Sequence, residues 1–442
     1  MTTLRRFSLY GFLKNQQYYD YSLVLAFLQM GLSYTQIGLL VGFREAVVAA
    51  LEIPSGVLAD RAGRRRAMVL SLTAYALSFA AFGGLGLGAT RGALGGGALY
   101  ASLFGAMTLF AVGDAFRSGT HKAMIFAWLR AHGREGERTR VYGFTRSWSK
   151  LGSAVSTVVA CGVIWATGDY VVVFLAAILP YLLNIVNVAT YPPEVESPAR
   201  AAAGPLRLGG LGRELLSALT DAARSAPLRR VLGEAMAFES YFKVAKDYLQ
   251  PILLTGAVAL TATWLPLAGA TDAQRSVVLL GPVYVGLFLL AALASRRAHR
   301  LVARAGGSAA RAARWLWAAL GLTCALVLTS LLAGWLVATV LGFAALYVLQ
   351  NLWRTILMSR LDAVSEEARG ATVLSIESQL KSLGVLVLAP TLGALVDLAR
   401  ATGADGATGA PPPAGYWPYW PVALAGALVA LAFVATGRRS RG

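Results

Sequence analysis

The sequence predicts an all-α membrane protein of twelve transmembrane helices arranged as two pseudo-symmetric six-helix bundles. Three observations predict it. Of the 442 residues, 57% are hydrophobic and only 14% charged, where soluble domains carry roughly 25% charge. The apolar residues gather in runs of about 20, the length a helix needs to cross a hydrocarbon core. Basic residues sit in short clusters between those runs, as expected of loops held at one membrane face. The net charge of +18 would suit nucleic acid only if the cations shared one face or helix, so no nucleic-acid partner is expected. Cys161 and Cys324 both fall inside apolar runs, which disfavours a disulfide framework or a Cys-rich metal site. No metal and no cofactor are expected.

The spans are read at about residues 10–30, 34–59, 67–88, 94–117, 140–165, 170–190, 230–256, 275–294, 315–334, 336–359, 371–397 and 418–437. The opening stretch "MTTLRRFSLYGFLKNQQYYD" has a basic start before apolar residues, but no small-residue cleavage site follows. It is therefore read as a first span that is retained. Arg5, Arg6, Arg61 to Arg66, Arg130 to Arg140, Arg200 to Arg230, Arg296 to Arg314, Arg360, Arg369 and the terminal "GRRSRG" fall on one side. The other side offers Arg91, Arg275 and Arg400. The bias places both termini in the cytoplasm.

A connection rich in Pro, Ala and Gly after span six reads as a linker. It divides the chain into a bundle of residues 1–190, a cytoplasmic linker of 191–228 and a bundle of 229–442. Within the linker, Leu211, Leu215, Leu216 and Leu219 recur at helical spacing, which suits either a helix on the membrane surface or a frayed tether. The halves echo each other. "RTRVYGFTRSWSKLG" opens span five and "RGATVLSIESQLKSLG" opens span eleven, ending at Leu151–Gly152 and Leu383–Gly384. A parallel repeat of six spans is the simplest cause.

Spans three, six, nine and twelve have no ionisable residue in their interiors and are expected to face lipid. By contrast, Asp20 lies midway along span one, Arg44 and Glu45 in span two, Asp114 and Arg117 in span four, and Arg146 and Lys150 in span five. The second half repeats the habit with Glu239, Lys243 and Lys246 in span seven, Arg354 in span ten, and Glu377 and Lys381 in span eleven. An ionised side chain at the bilayer centre costs at least about 2.5–3.5 kcal/mol, so these groups must face water or each other. Asp114 with Arg117, Glu239 with Lys243, and Glu377 with Lys381 have the spacing of helical ion pairs. Any one pair is equally well read as glue between helices. The whole set is better explained by spans four, five, seven, ten and eleven converging on a polar channel, since so many buried charges hold a bundle together at high cost.

One stretch remains, "GVLADRAGRRR" at the end of span two. Gly56, Asp60, Arg61, Gly63, Arg64 and Arg65 match the signature loop of the major facilitator superfamily, and the wider segment "NQQYYDYSLVLAFLQMGLSYTQIGLL" resembles a common bacterial branch of it. The resemblance implies the twelve-span fold of that superfamily, a place in the bacterial cytoplasmic membrane, and secondary active transport of a small solute by alternating access. It also implies that Asp60 latches the cytoplasmic gate against the N-terminus of span eleven, near Gly370 and Thr372. Such a contact is physically sound, because a carboxylate is favoured at a helix N-terminus. Arg117 in "GDAFRSGT" is similar to the span-four arginine of proton-coupled members, though the residues after it match only through Gly119. Span five lacks the Gly-Pro of drug/proton antiporters, which argues against a multidrug efflux pump, the alternative within the class.

The functional expectation is therefore transport of an anionic or zwitterionic organic solute, coupled to a proton or another ion, by a monomer. Asp20, Asp114 and Arg117 are the coupling candidates. Tyr19, Arg44, Glu45, His121, Arg146, Lys150, Glu239, Lys243, Arg354, Glu377 and Lys381 are the cavity candidates, with bases modestly outnumbering acids. An enzyme embedded in the membrane is the alternative from another class. Its best support, His121, Lys122 and His132 near Asp114, matches neither a zinc spacing nor a nucleophile arrangement. No phosphate-binding G-x-x-x-x-G-K-[S/T] occurs that would drive an ATP pump.

Overall fold

The computed structural model describes residues 3–196, 225–265, 267–364, 370–403 and 415–439. Among them every regular element is helical. Helices α1 (Thr3–Lys14), α2 (Leu23–Gln29), α3 (Tyr34–Ala62), α4 (Arg64–Thr90), α5 (Gly96–Arg117), α6 (Thr120–Ala131), α7 (Arg138–Thr167) and α8 (Val172–Ala189) form the first half. Helices α9 (Ala226–Ala245), α10 (Leu249–Thr263), α11 (Asp272–Arg304), α12 (Ala309–Leu332), α13 (Leu336–Val364), α14 (Gly370–Gly403) and α15 (Trp420–Arg439) form the second. The linker leucines lie outside the described residues.

Among the described residues, ten segments are long and apolar enough to cross a bilayer. The two that fall short are the first of each half, and both are broken where the sequence suggested continuous helices over 10–30 and 230–256. In the first half, α1 and α2 are separated by a 3-10 turn at Tyr18–Tyr21 that carries Asp20. In the second, α9 and α10 are separated by a 3-10 turn at Lys246–Tyr248 that carries Asp247. The causes differ. The Asn15 side chain donates to the Gly11 carbonyl at 2.6 Å, competing with the main chain for the helix's own acceptor. Asn15 and Gln16 then turn to carbonyls three residues back. In the second half, Pro251 stands early in α10 and has no N–H to offer the Asp247 carbonyl one turn before it.

The chain divides into two compact units, Met1–Leu32 with Phe43–Leu211, and Ser33–Gly42 with Gly212–Gly442. Within each unit the third span packs on the fourth and the sixth. In the first, α4 packs on α5 and α8, and α1 packs on α7; in the second, α12 packs on α13 and α15, and α9 on α14. The cores are aromatic. Tyr19, Phe79, Phe110 and Phe174 gather in the first unit, and Phe238 stacks on Trp353 with ring centroids 4.5 Å apart in the second. In the second unit the N-terminus of α3 is capped by Asp397, whose carboxylate accepts from the Tyr34 N–H at 3.1 Å and the Thr35 N–H at 2.7 Å.

The Leu-Gly pairs that end the repeated stretches have a packing reason. A Cβ on Gly152 of α7 would stand 2.5 Å from the Phe12 carbonyl oxygen of α1, and the Gly152 carbonyl accepts from Gln16 Nε2 at 3.1 Å. A Cβ on Gly384 of α14 would collide with the Ser240 side chain of α9, its Cβ 2.8 Å away. Each glycine thus lets the fifth span of its half close on the first. Gly152→Val is therefore expected to destabilise the purified protein by about 1–3 kcal/mol through overpacking, and Gly384→Val by less, because its obstacle is a side chain and not backbone. Gly162→Ala, with open space around it, should leave the thermal unfolding midpoint unchanged. Equal midpoints for Gly152→Val and Gly162→Ala would refute this packing role.

Candidate functional site

Because α1 stops at Lys14, its last turn ends beside a cavity of about 460 Å3 inside the first unit. Lys14, Arg117, Lys122, Arg146 and Lys150 line it, and no carboxylate is among the lining residues. The wall also holds rings. Tyr10 stacks on His121 with centroids 3.7 Å apart, and His121 Nε2 lies 3.2 Å from the Tyr191 hydroxyl. The Lys122 ammonium sits 5.5 Å and 5.6 Å from the Phe126 and Tyr142 ring centres. The first turn of α6, with Gly119, His121 and Lys122, opens on the same space, and a helix N-terminus favours negative charge.

Asp114, one turn before Arg117 on α5, holds that arginine in place. Arg117 Nη2 donates to Asp114 Oδ1 at 2.7 Å and Arg117 Nε to the Tyr75 hydroxyl at 3.0 Å, while the Tyr75 hydroxyl itself donates to Asp114 Oδ1. Arg44 and Glu45 pair with each other on α3 at 2.8 Å, and the Arg44 guanidinium lies 5.6 Å from the Phe110 ring centre. Neither lines the cavity. Nor does Tyr19, which is buried in the aromatic core. Asp20 occupies the 3-10 turn rather than a helix interior, its N–H bonded to the Gln17 carbonyl.

At the signature loop, Gly56 and Arg61 belong to α3 and the Asp60 side chain lies outside the described residues. Gly63 separates α3 from α4 with φ 106°, a conformation that glycine adopts without strain. The N-terminus of α4 is capped from a distance. Glu196 accepts from the N–H of Arg64 at 2.7 Å and of Arg65 at 3.3 Å, and Arg65 Nη1 donates to the Tyr191 carbonyl at 3.0 Å.

In the second unit, Glu239 of α9 and Glu377 of α14 converge on Arg354 of α13. Arg354 Nη1 is 2.7 Å from Glu377 Oε1 and 3.9 Å from Glu239 Oε1. Lys381 stands one turn beyond Glu377 on α14, and its carbonyl accepts from Ser240 at 2.9 Å. Lys243 stands one turn beyond Glu239 on α9. Thus of the cavity candidates read from sequence, His121, Arg146 and Lys150 meet in one cavity, joined by Arg117 from the coupling candidates. Glu239, Arg354 and Glu377 form a cluster within the second unit, and Lys381 lies one turn beyond Glu377 on α14. Lys14 and Lys122 were not among those candidates. The signal was present for Lys14, an ionisable residue inside an apolar span, but Lys122 depends on α6 continuing past the end of span four.

The fold and this pattern of internal charge define a multi-pass, all-helical membrane protein. A profile of the Major Facilitator Superfamily matches residues 15–388, and the chain belongs to that superfamily. No curated protein matches it. Among solved structures it is similar to the nucleoside transporter NupG, at TM-score 0.69 and 12% identity over 98% of this chain and 99% of that one. It is also similar to a POT family transporter in complex with 5-aminolevulinic acid, at TM-score 0.64 and 14% identity over 99% and 96% of the two chains. The xylose transporter XylE from E. coli matches at TM-score 0.62 and 14% identity over 97% and 94%. At such identities the likeness is one of fold.

The Asp114–Arg117 pair yields a measurable expectation. Replacing Arg117 by Gln strands a carboxylate, so the single variant should lose about 1–3 kcal/mol of stability. Adding Asp114→Asn should recover part of that loss, giving a coupling energy of about 1 kcal/mol in a double-mutant cycle. Strict additivity would show that the two side chains act independently.

Proposed function

We propose that the chain is a secondary active transporter of a small organic anion, working by alternating access in a bacterial cytoplasmic membrane and driven by a proton gradient. The observation that carries the reading is the cavity of the first unit, with five cationic side chains and no carboxylate in its wall. Like charges about 4 Å apart repel by roughly 4 kcal/mol at an effective dielectric of 20, so a crowd of cations is relieved by an anion and worsened by a cation. Asp114 offsets one of the five. The stacked Tyr10 and His121 rings add a flat apolar wall, which suits an organic body attached to the anionic group. A zwitterion would leave its ammonium facing the lysines, and the absence of carboxylates from the wall favours the purely anionic solute. Asp20, Asp114 and Arg117 are the proposed proton-coupling groups of this half, and Asp60 the proposed gate latch.

Thermal-shift screening of the purified protein should single out carboxylated or phosphorylated metabolites over their neutral analogues. Lys14→Gln and Arg146→Gln should each weaken binding of the best ligand by about ten- to a hundredfold, one charge-assisted contact being equivalent to about 1.5–3 kcal/mol. Binding should also weaken with added salt. Neutral analogues that bind as tightly as the anions would sink the reading.

Orientation is tested separately. In a Cys161→Ala background, a cysteine at Ala93, in the loop between α4 and α5, should react in intact cells with a membrane-impermeant thiol reagent. One at Arg304, at the end of α11, should be protected. Labelling of the Arg304 position from outside would reverse the proposed topology.

A further inference from the structure

Four of the five cations around the cavity of the first unit are without an acceptor. Arg117 is tied to Asp114 and to the Tyr75 hydroxyl, but no hydrogen bond or ion pair joins the side chains of Lys14, Lys122, Arg146 or Lys150 to any described residue. Asp114 balances one charge of the five, so four remain, more than a single carboxylate cancels.

The main chain adds donors at the same place. Helices α5 and α6 are parted at Ser118 and Gly119, where Gly119 takes φ 73°, a left-handed conformation suited to glycine. No side chain caps α6 there. The Thr120 N–H returns to the Ser118 carbonyl at 2.9 Å, whereas no main-chain carbonyl accepts from Gly119, His121 or Lys122. Gly119 lines the cavity, and having no side chain it does so through its backbone. The first N–H groups of a helix need an acceptor from outside it, and a phosphate oxygen fills that role well.

The kinds of cation matter too. An arginine fork matches a planar carboxylate, while an ammonium is a compact charge whose three donors can be turned to suit. Three of the five cations are lysines, Lys14 from α1, Lys122 from α6 and Lys150 from α7. Donors arriving from three helices fit a tetrahedral group, whose oxygens point in different directions, better than a flat one.

We infer that the anionic group this cavity takes is the dianion of a phosphate monoester, seated among Lys14, Lys122, Arg146 and Lys150 with its esterified body against the Tyr10 and His121 rings. The inference rests on the organic-anion reading above and narrows it to a solute of charge two. Attraction scales with the product of the charges, so a dianion gains about twice what a monoanion gains from the same cations. A phosphate monoester carries its second charge above a pKa of about 6. A sulfate monoester of the same shape has no second charge to gain.

Calorimetric titration of the purified full-length protein with phenyl phosphate, phenyl sulfate, benzoate, phenol and inorganic phosphate tests this. At about pH 8 phenyl phosphate should bind at least about tenfold more tightly than phenyl sulfate or benzoate, the equivalent of one added charge-assisted contact. At about pH 5, where the phosphate ester holds a single charge, the preference over phenyl sulfate should vanish. The sulfate meets the same lysines and the same His121, so titration of the protein itself cancels from the ratio. Lys150→Gln should weaken phenyl phosphate more than phenyl sulfate, whereas a merely structural role would lower both alike. Phenyl sulfate or benzoate matching phenyl phosphate at the higher pH, or a preference that persists at the lower one, would overturn the dianion and leave the organic-anion reading intact. Inorganic phosphate binding as tightly as the ester would overturn the seat against the rings. Binding of none of the five would overturn the inference and leave the wider reading to the metabolite screen, while phenol binding as tightly as the anions would sink both.

Discussion

Burying charge in a medium that cannot solvate it is the constraint on which this molecule is built. An unpartnered ion at the bilayer centre costs several kcal/mol, and the usual solution here is a partner within the same unit. Arg44 takes the adjacent Glu45, Arg117 takes Asp114 with Tyr75 as the third member, and Glu234 takes two arginines. One place departs from that balance. The cavity of the first unit has five basic side chains and no carboxylate among its lining residues. Like charges gathered in that way stabilise nothing unless something from outside completes them.

Much of the fold was legible because lipid makes hydropathy decisive. The helix ends of α4, α5, α7 and α8 fall within a few residues of the spans read from apolar runs, since those spans need only be long and greasy. The broken first spans were not legible in the same way. Breaking α1 depends on one side-chain hydrogen bond from Asn15, and breaking α9 from α10 on a proline that hydropathy scores as neutral. Charge pairing was partly legible. The spacing of Asp114 and Arg117 on one helix announced their contact, whereas the meeting of Glu239, Glu377 and Arg354 joins three helices, and no spacing rule reaches across them. Glu196 illustrates the same limit: its role as the cap of α4 joins positions more than a hundred residues apart.

The repeat has physical content beyond resemblance. Each half packs its fifth span on its first through a glycine that ends a Leu-Gly pair, and each half interrupts that first span near an Asp-Tyr pair, Asp20–Tyr21 and Asp247–Tyr248. What each copy does with the scaffold differs. The first half keeps its cations around an open space, while the second pairs Glu239 and Glu377 with Arg354, and Glu234 with Arg230 and Arg360. Duplication supplies the geometry, and divergence of a few side chains supplies two different chemical environments.

The interrupted spans also bear on how the chain enters the membrane at all. Neither α1 with α2 nor α9 with α10 is long and apolar enough to stand among the ten described segments that qualify alone, and each carries ionisable groups that raise the cost of partitioning by about 2.5–3.5 kcal/mol apiece at the bilayer centre. A segment of that kind gains little by leaving the translocation machinery singly. Its insertion is favourable when the next helix, α3 in one half and α11 in the other, enters with it as a hairpin. Biogenesis of each half thus begins with its least hydrophobic element, and the two weakest steps of assembly fall at the first and seventh spans.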